Sequence, residues 1–78
     1  MLLEFIQLKD GNLIMINSQS IHAIEDGFER DFGRDMPDKP CTRITYSSGA
    51  ACFVVDTKEP MASIVDRVNF AIKSENRF

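Results

Sequence analysis

Apolar and polar residues alternate in two separate blocks of the chain, and each block contains a glycine-centred turn. In the first block, Leu2–Lys9 is followed by Asp10-Gly11-Asn12, whose residues tolerate positive φ at low cost. Leu13–Ile16 is apolar at every position, so we expect a returning strand that is covered on both faces. The pattern therefore predicts a β-hairpin and a turn over residues 1–25.

The polar run Asn17–Ser20 ends this hairpin, because Asn and Ser side chains bind nearby backbone amides. We expect a turn or one helical turn there. In Ile21–Glu25 the spacing of Ile21 and Ile24 fits either a short helical turn or a bent strand. The sequence leaves these two interpretations open.

The second block predicts another hairpin, over residues 42–56. Thr42, Ile44 and Tyr46 alternate with polar residues, and Ala50–Val55 is the most apolar run of the chain. A two-residue turn at Ser48-Gly49 would place Ile44 opposite Phe53 and Thr45 opposite Cys52. In that register the two cysteines lie far apart, so we expect two free thiols.

A C-terminal helix over residues 58–74 is predicted from apolar residues at i, i+3, i+4 and i+7, namely Met61, Ile64, Val65, Val68 and Ile72. Phe70 falls on the polar side of this helix. The fold expected is a single α+β domain over residues 1–78. It is an antiparallel sheet of about four strands, in two β-hairpins, packed against the one C-terminal helix.

The segment between the hairpins, residues 26–41, is polar and acidic. With its neighbour Glu25 it carries the whole net charge of −3, because it has six acidic and three basic residues. The acids are Glu25, Asp26, Glu29, Asp31, Asp35 and Asp38, and the bases are Arg30, Arg34 and Lys39. Direct nucleic-acid binding needs clustered Lys and Arg, which this chain lacks. A partner protein with a basic surface fits the charge better.

Three interpretations of this segment remain open. Phe28 and Phe32 could fold back onto the small core. Alternatively, Ile24–Phe32 extends the hairpin by pairing with Cys41–Ser47, which leaves Gly33–Pro40 as a tip. The functional interpretation is an aromatic patch with an acidic rim that binds another protein. Together with Phe70, which suggests a homodimer contact, the candidate partner-binding residues are Phe28, Glu29, Asp31, Phe32, Asp35, Met36 and Phe70.

Catalytic, metal and cofactor sites are not expected. His22 is the only histidine, the two cysteines have no metal-type spacing, and no glycine-rich phosphate loop is present. The N-terminal residues lack a signal-peptide pattern, and no apolar stretch approaches the ~20 residues that cross a bilayer. We therefore expect a cytoplasmic, non-enzymatic binding regulator or inhibitor, or alternatively a structural homo-oligomer that uses the helix or a sheet edge.

The order of turns and apolar positions resembles the small flagellar and swarming-motility protein family (FlbD-like). The matching residues are Leu8, Gly11, Ile16, Asn17, Ile21, Ile24 and Glu25, followed by Gly49, Val54, Glu59 and Val65. The resemblance implies a few strands and a C-terminal helix, and it brings no catalytic residues. The long insertion between Glu25 and Thr42 departs from the family pattern. Similar plans occur in bacteriophages and prophages, which suits a host-directed binder.

Overall fold

A computed structural model describes residues 1–33 and 39–75 of the chain. Its order is two strands, a 3₁₀ turn, a strand, a second 3₁₀ turn, two strands and a helix. The strands are β1 (Leu2–Ile6), β2 (Leu13–Asn17), β3 (Ile21–Phe28), β4 (Pro40–Ser48) and β5 (Ala51–Thr57), with 3₁₀ turns at Ser18–Ser20 and Glu29–Phe32 and the helix α1 at Met61–Glu75. The α+β expectation is confirmed, with five strands in two sheets.

The first sheet is the β1–β2 hairpin, in which Leu3 lies opposite Ile16. Its connection is longer than the expected three-residue turn. The Gln7 N–H donates to the Asn12 carbonyl at 2.9 Å, and residues 8–11 form the loop that this hydrogen bond closes. Gly11 has a φ of 75°, which a residue without Cβ adopts readily. The turn chemistry was thus identified correctly, but the loop around it is wider.

Among the described residues, only one face of this sheet is covered. Leu3, Phe5 and Ile16 point into the core, whereas Leu13 and Met15 remain exposed on the other face. The expectation that Leu13–Ile16 is covered on both faces is therefore wrong. The core lies on the inner side of this two-stranded sheet, and β2 places apolar residues on both sides of it.

The second sheet has the order β3–β4–β5. β3 contains a register shift between Ile21 and Ala23, so Ile21–Glu25 is a bent strand rather than a helical turn. β3 pairs with β4 as far as Phe28 opposite Pro40, so the hairpin is extended, but Glu29–Phe32 forms a 3₁₀ turn instead of continuing the strand. The Asn17 side chain accepts a hydrogen bond from the Gln19 N–H at 3.1 Å and starts the 3₁₀ turn between the two sheets.

The β4–β5 hairpin is shifted by two residues from the expected register. Ile44 pairs with Val55, and the connecting turn is Gly49-Ala50, with Gly49 at a φ of 63°. The expected face of each side chain is still correct, because side chains alternate with period two and the register is shifted by two residues. Cys41 is buried on β4, and Cys52 is exposed on β5.

The core is enclosed by the inner faces of both sheets and by α1, and its buried residues are Leu3, Phe5, Ile16, Ile44, Val55, Ile64, Val68 and Ala71. On the helix, Ala71 is fully buried, whereas Met61 and Ile72 retain 36% and 39% exposure at the edges of the stripe. The helix begins at Met61, three residues after the expected start at Lys58.

Hydrogen bonds also join the elements around this core. The Leu8 N–H donates to the Asp56 carbonyl at 2.8 Å, which links the end of the first hairpin to β5. The Thr42 hydroxyl donates to the Glu59 carbonyl at 2.8 Å and holds the segment before α1. Arg67 of α1 donates to the carbonyl of Glu4 in β1 at 2.7 Å.

Candidate functional site

The acidic central segment forms the far end of the β3–β4 hairpin. Phe28 closes β3 opposite Pro40 and is 40% exposed. The Arg30 guanidinium lies 5.4 Å from the centre of the Phe28 ring, within cation–π range. An aromatic side chain thus reaches solvent at this end of the sheet.

The second 3₁₀ turn follows Phe28 and uses two of the predicted acidic residues. The Asp31 carboxylate accepts a hydrogen bond from the Phe28 N–H at 2.9 Å, so it stabilises the start of the turn while remaining exposed. Glu29 is only 5% exposed, and its Oε2 has no hydrogen-bond partner in the described part of the chain. Its carboxylate therefore does not contribute to an exposed acidic rim.

Phe32 turns back onto the outer face of the second sheet, so it packs away from the main core. The Arg43 guanidinium lies 4.3 Å from the centre of its ring and donates to its carbonyl at 3.4 Å. Arg43 also forms a two-pronged ion pair with Asp56, at 2.8 and 3.1 Å. Hydrogen bonding to Asp56 raises the pKa of the Arg43 guanidinium above its ordinary value. Phe32 is therefore held in place by a guanidinium that is itself fixed.

The remaining candidates lie elsewhere. Phe70 is on the outer side of α1 and is 68% exposed, the highest value among the large apolar side chains of the described residues. Asp35 and Met36 lie outside the described residues. The structure therefore brings Phe28, Asp31 and Phe32 to one end of the hairpin, and it places Phe70 on a separate element.

A second surface, which the sequence analysis missed, lies on the first hairpin. Leu2, Ile6, Leu13 and Met15 share the outward face of β1 and β2, with exposures of 60%, 59%, 56% and 45%. We call these four residues the apolar face. Cross-strand pairing sets Ile6 beside Leu13 and Met15 beside Glu4. The sequence contains this signal, because period-two alternation puts residues 13 and 15 on one face of the strand and residues 14 and 16 on the other.

An open cleft of about 670 Å³ adjoins the apolar face. It lies between β1 and the segment that joins β5 to α1, and Ile6 and Leu13 belong to both surfaces. We call it the β1 cleft; its charged lining residues are Glu4, Lys58, Glu59 and Arg67. Arg67 is fixed there by an ion pair with Glu59 at 3.1 Å and by the Phe5 ring, whose centre is 4.6 Å away.

Among residues 1–33 and 39–75, no three His, Cys, Asp or Glu side chains come together as metal ligands. His22 is exposed on β3, Cys41 is buried, and Cys52 is exposed. In that same part of the chain, no helix is both long and apolar enough to cross a bilayer.

Comparison with known proteins gave no relative: no family model matches the chain, and no curated protein or solved structure has a significant match. The resemblance to the flagellar and swarming-motility family stays a prediction. The apolar face, the β1 cleft and the end of the β3–β4 hairpin are the candidate functional surfaces.

Proposed function

We propose that this protein is a small non-enzymatic regulator or inhibitor that binds another protein through its apolar face. The observation that carries the proposal is that four exposed apolar side chains share one side of the β1–β2 hairpin, with Ile6 and Leu13 directly paired. Contiguous exposed apolar patches on soluble proteins commonly mark interaction sites. Asn17, which pairs with Leu2 at one end of the face, would form part of a polar rim, whereas Glu4 lies between Leu2 and Ile6.

Hydrophobic burial favours a covered state for this face. Full burial of an aliphatic side chain contributes about 1.5–3 kcal/mol, and these four are roughly half exposed. Covering them would therefore contribute roughly 3–6 kcal/mol before the costs of association. This is enough to anchor a protein interface, but a durable complex needs further contacts beyond the face.

The test replaces Leu13 and Met15 with glutamate in one tagged variant. Both side chains point outward, so the core remains intact while the apolar face becomes charged. The matched control places the same two glutamates at His22 and Asn69, which are also exposed. Quantitative affinity purification from the native cell should recover a partner with the wild type and with the control, and lose it with the Leu13→Glu, Met15→Glu variant. Equal recovery by all three proteins would disprove the proposal.

The end of the β3–β4 hairpin is the second candidate surface, for a partner with a basic patch. It is supported by the exposed Phe28 ring, and by exposed carboxylates at Glu25, Asp26 and Asp31. Because Asp31 caps the 3₁₀ turn and Glu29 is buried, neither is suited to a clean charge reversal. The informative variant is Glu25→Lys, Asp26→Lys, which should abolish capture of a basic partner while the apolar-face variant retains it.

A structural homo-oligomer is the alternative role, supported by the 68% exposure of Phe70 and by open sheet edges. Light scattering at high protein concentration separates this role from binding of a different protein. We propose a cytoplasmic location, since the exposed thiol of Cys52 suits a reducing compartment. A phage or prophage origin would suit a compact inhibitor of this kind.

A further inference from the structure

The backbone of β1 directs its hydrogen-bonding groups to two sides in alternation. Around the hairpin, Ser18 donates to the Met1 carbonyl at 2.9 Å, and Gln7 donates to the Asn12 carbonyl at 2.9 Å. In an antiparallel pair, residues with this bonding alternate with residues whose N–H and C=O point away. Odd-numbered residues of β1 therefore bond to β2, and the even-numbered ones, Leu2, Glu4 and Ile6, turn their backbone groups to the opposite edge.

That opposite edge is occupied at both ends of the β1 cleft. At one end the Leu8 N–H donates to the Asp56 carbonyl at 2.8 Å, and at the other the Glu4 carbonyl accepts from Arg67 at 2.7 Å. Between them, the N–H and C=O of Ile6 make no hydrogen bond to any residue in the described part of the chain outside the hairpin ladder. One outward donor and one outward acceptor thus face the cleft.

The shape and lining of the cleft match this open backbone. Its volume of about 670 Å³ lies within the range of small-ligand pockets, roughly 300–1,000 Å³. Ile6, Leu8 and Leu13 supply apolar lining, and Lys58 and Arg67 are balanced by Glu4 and Glu59. The lining has no net charge, so it favours a neutral extended chain over a strongly charged ligand.

We propose that the β1 cleft binds a short extended segment of a partner protein, which pairs with Ile6 through its backbone and packs apolar side chains on Ile6 and Leu13. Addition of a strand to an open sheet edge is a recurring mode of peptide recognition, in which backbone bonds give affinity and side-chain pockets give specificity. This inference rests on the proposed function, because it specifies how part of the partner is held. The segment would extend the apolar face across the edge of β1.

A second copy of β1 is a poor occupant of the same edge. Antiparallel pairing of two β1 strands about their centre would set Glu4 opposite its own copy, and like charges directly opposite are destabilising. The Arg67 side chain also covers the Glu4 carbonyl on that edge. A separate segment bearing small or apolar residues avoids the like-charge conflict and can pair at Ile6 alone.

The test uses Ile6→Pro as the key variant. Proline removes the Ile6 N–H, and since that group points away from β2, the β1–β2 ladder keeps its bonds. Ile6→Val keeps the N–H and serves as the matched control. A second blocking variant, Lys58→Trp, fills the cleft from its other wall without altering β1. Dispersed amide spectra of each variant verify the fold before binding is measured.

The probe is a phage-displayed library of random ten-residue peptides selected on the wild-type protein. We expect synthetic copies of the enriched peptides to shift the amides of residues 4–8 and 57–59. We also expect Ile6→Pro or Lys58→Trp to weaken binding at least tenfold, and Ile6→Val to change it less than threefold. Peptides that bind all four proteins equally, shifts confined to other regions, or a library with no enriched binder would each overturn the inference.

Peptide selection and native-cell capture report on different proposals. If selected peptides occupy the cleft but no cellular partner depends on the apolar face, the inference stands and the proposed function falls. If a cellular partner requires the apolar face but Ile6→Pro binds it as well as the wild type does, edge pairing is wrong and the proposed function stands.

Discussion

The ring of Phe32 lies so close to Gly27 that a Cβ at position 27 would sit 3.3 Å from its Cε2 and Cζ atoms. The same Cβ would lie 3.2 Å from Oδ2 of Asp31. Gly27 therefore provides the space in which the second 3₁₀ turn folds back over the outer face of the sheet. Its need for glycine comes from close packing, since its φ is not positive.

We predict that Gly27→Val destabilises the protein by about 1–3 kcal/mol, because an extra side chain must displace the Phe32 ring. Valine has a high β propensity, so strand formation itself does not cause the loss. In a Phe32→Ala background the same change should cost less than about 1 kcal/mol, since the obstructing ring is gone. Urea denaturation of the four proteins in this double-mutant cycle measures the coupling. Identical costs in both backgrounds would show that the contact carries no energy.

The Arg43–Asp56 ion pair is predicted to fix the same turn to the sheet. The Asp56 side chain is 5% exposed and that of Arg43 is 25% exposed, so Arg43→Met removes the guanidinium from a largely buried carboxylate. Breaking a buried pair costs about 3–5 kcal/mol, and partial exposure of Arg43 reduces our expectation to about 2 kcal/mol. The urea midpoint should fall by the corresponding amount at an unchanged m value.

Arg43→Lys is the matched variant for this pair. Lysine keeps the charge, but its ammonium cannot form the two-pronged bond or stack flat on the Phe32 ring. We expect it to recover less than half of the stability lost in Arg43→Met. Full recovery would mean that charge alone matters and that the planar geometry of the guanidinium contributes nothing.

Period-two and helical patterns identified most of the fold from the sequence. The glycine turns, the alternation of Thr42, Ile44 and Tyr46, and the helical stripe all follow from local geometry. The register of the β4–β5 hairpin does not follow from local geometry, because a two-residue turn could form either at Ser48-Gly49 or at Gly49-Ala50. The observed register places Arg43 opposite Asp56, whereas the expected one would place it opposite Val54. A long-range ion pair and the positive φ of Gly49 thus favour the observed pairing.

The candidate surfaces were harder to predict because they depend on what covers each residue. Glu29 looked like a surface acid, yet it is buried, and Phe32 packs on the outer face of a sheet. Leu13 and Met15 looked like core residues, yet no element covers them in the described part of the chain. Apolar pattern alone does not reveal how many layers a fold has, so it cannot separate a buried face from an exposed interface.

Phe70→Ser is predicted to leave the free energy of unfolding within about 0.5 kcal/mol of wild type, because the side chain is 68% exposed. Its neighbour Ala71 is fully buried, so Ala71→Ser should cost about 1–3 kcal/mol through burial of a hydroxyl. Thermal or urea denaturation distinguishes the two. Light scattering of wild type and Phe70→Ser should give the same molar mass, and a halved mass in the variant would instead assign Phe70 to a homodimer interface.

The Thr42 hydroxyl is predicted to hold the wall of the β1 cleft. It donates to the Glu59 carbonyl at 2.8 Å, and Thr42 is 2% exposed. Thr42→Val keeps the shape but removes the donor, which should cost about 1 kcal/mol. Faster amide exchange at residues 58–62 is expected as well, since the segment before α1 loses its tie to β4.

Thr45→Val is the control for this change, because Thr45 lies on the opposite face of the same strand and is half-buried. Valine there should be neutral or slightly stabilising, since it suits a strand. If the two variants lose equal stability, or if exchange at residues 58–62 stays unchanged in Thr42→Val, the hydroxyl does not organise this wall. The geometry of the cleft, and with it the peptide affinity, would then depend on Arg67 and Glu59 alone.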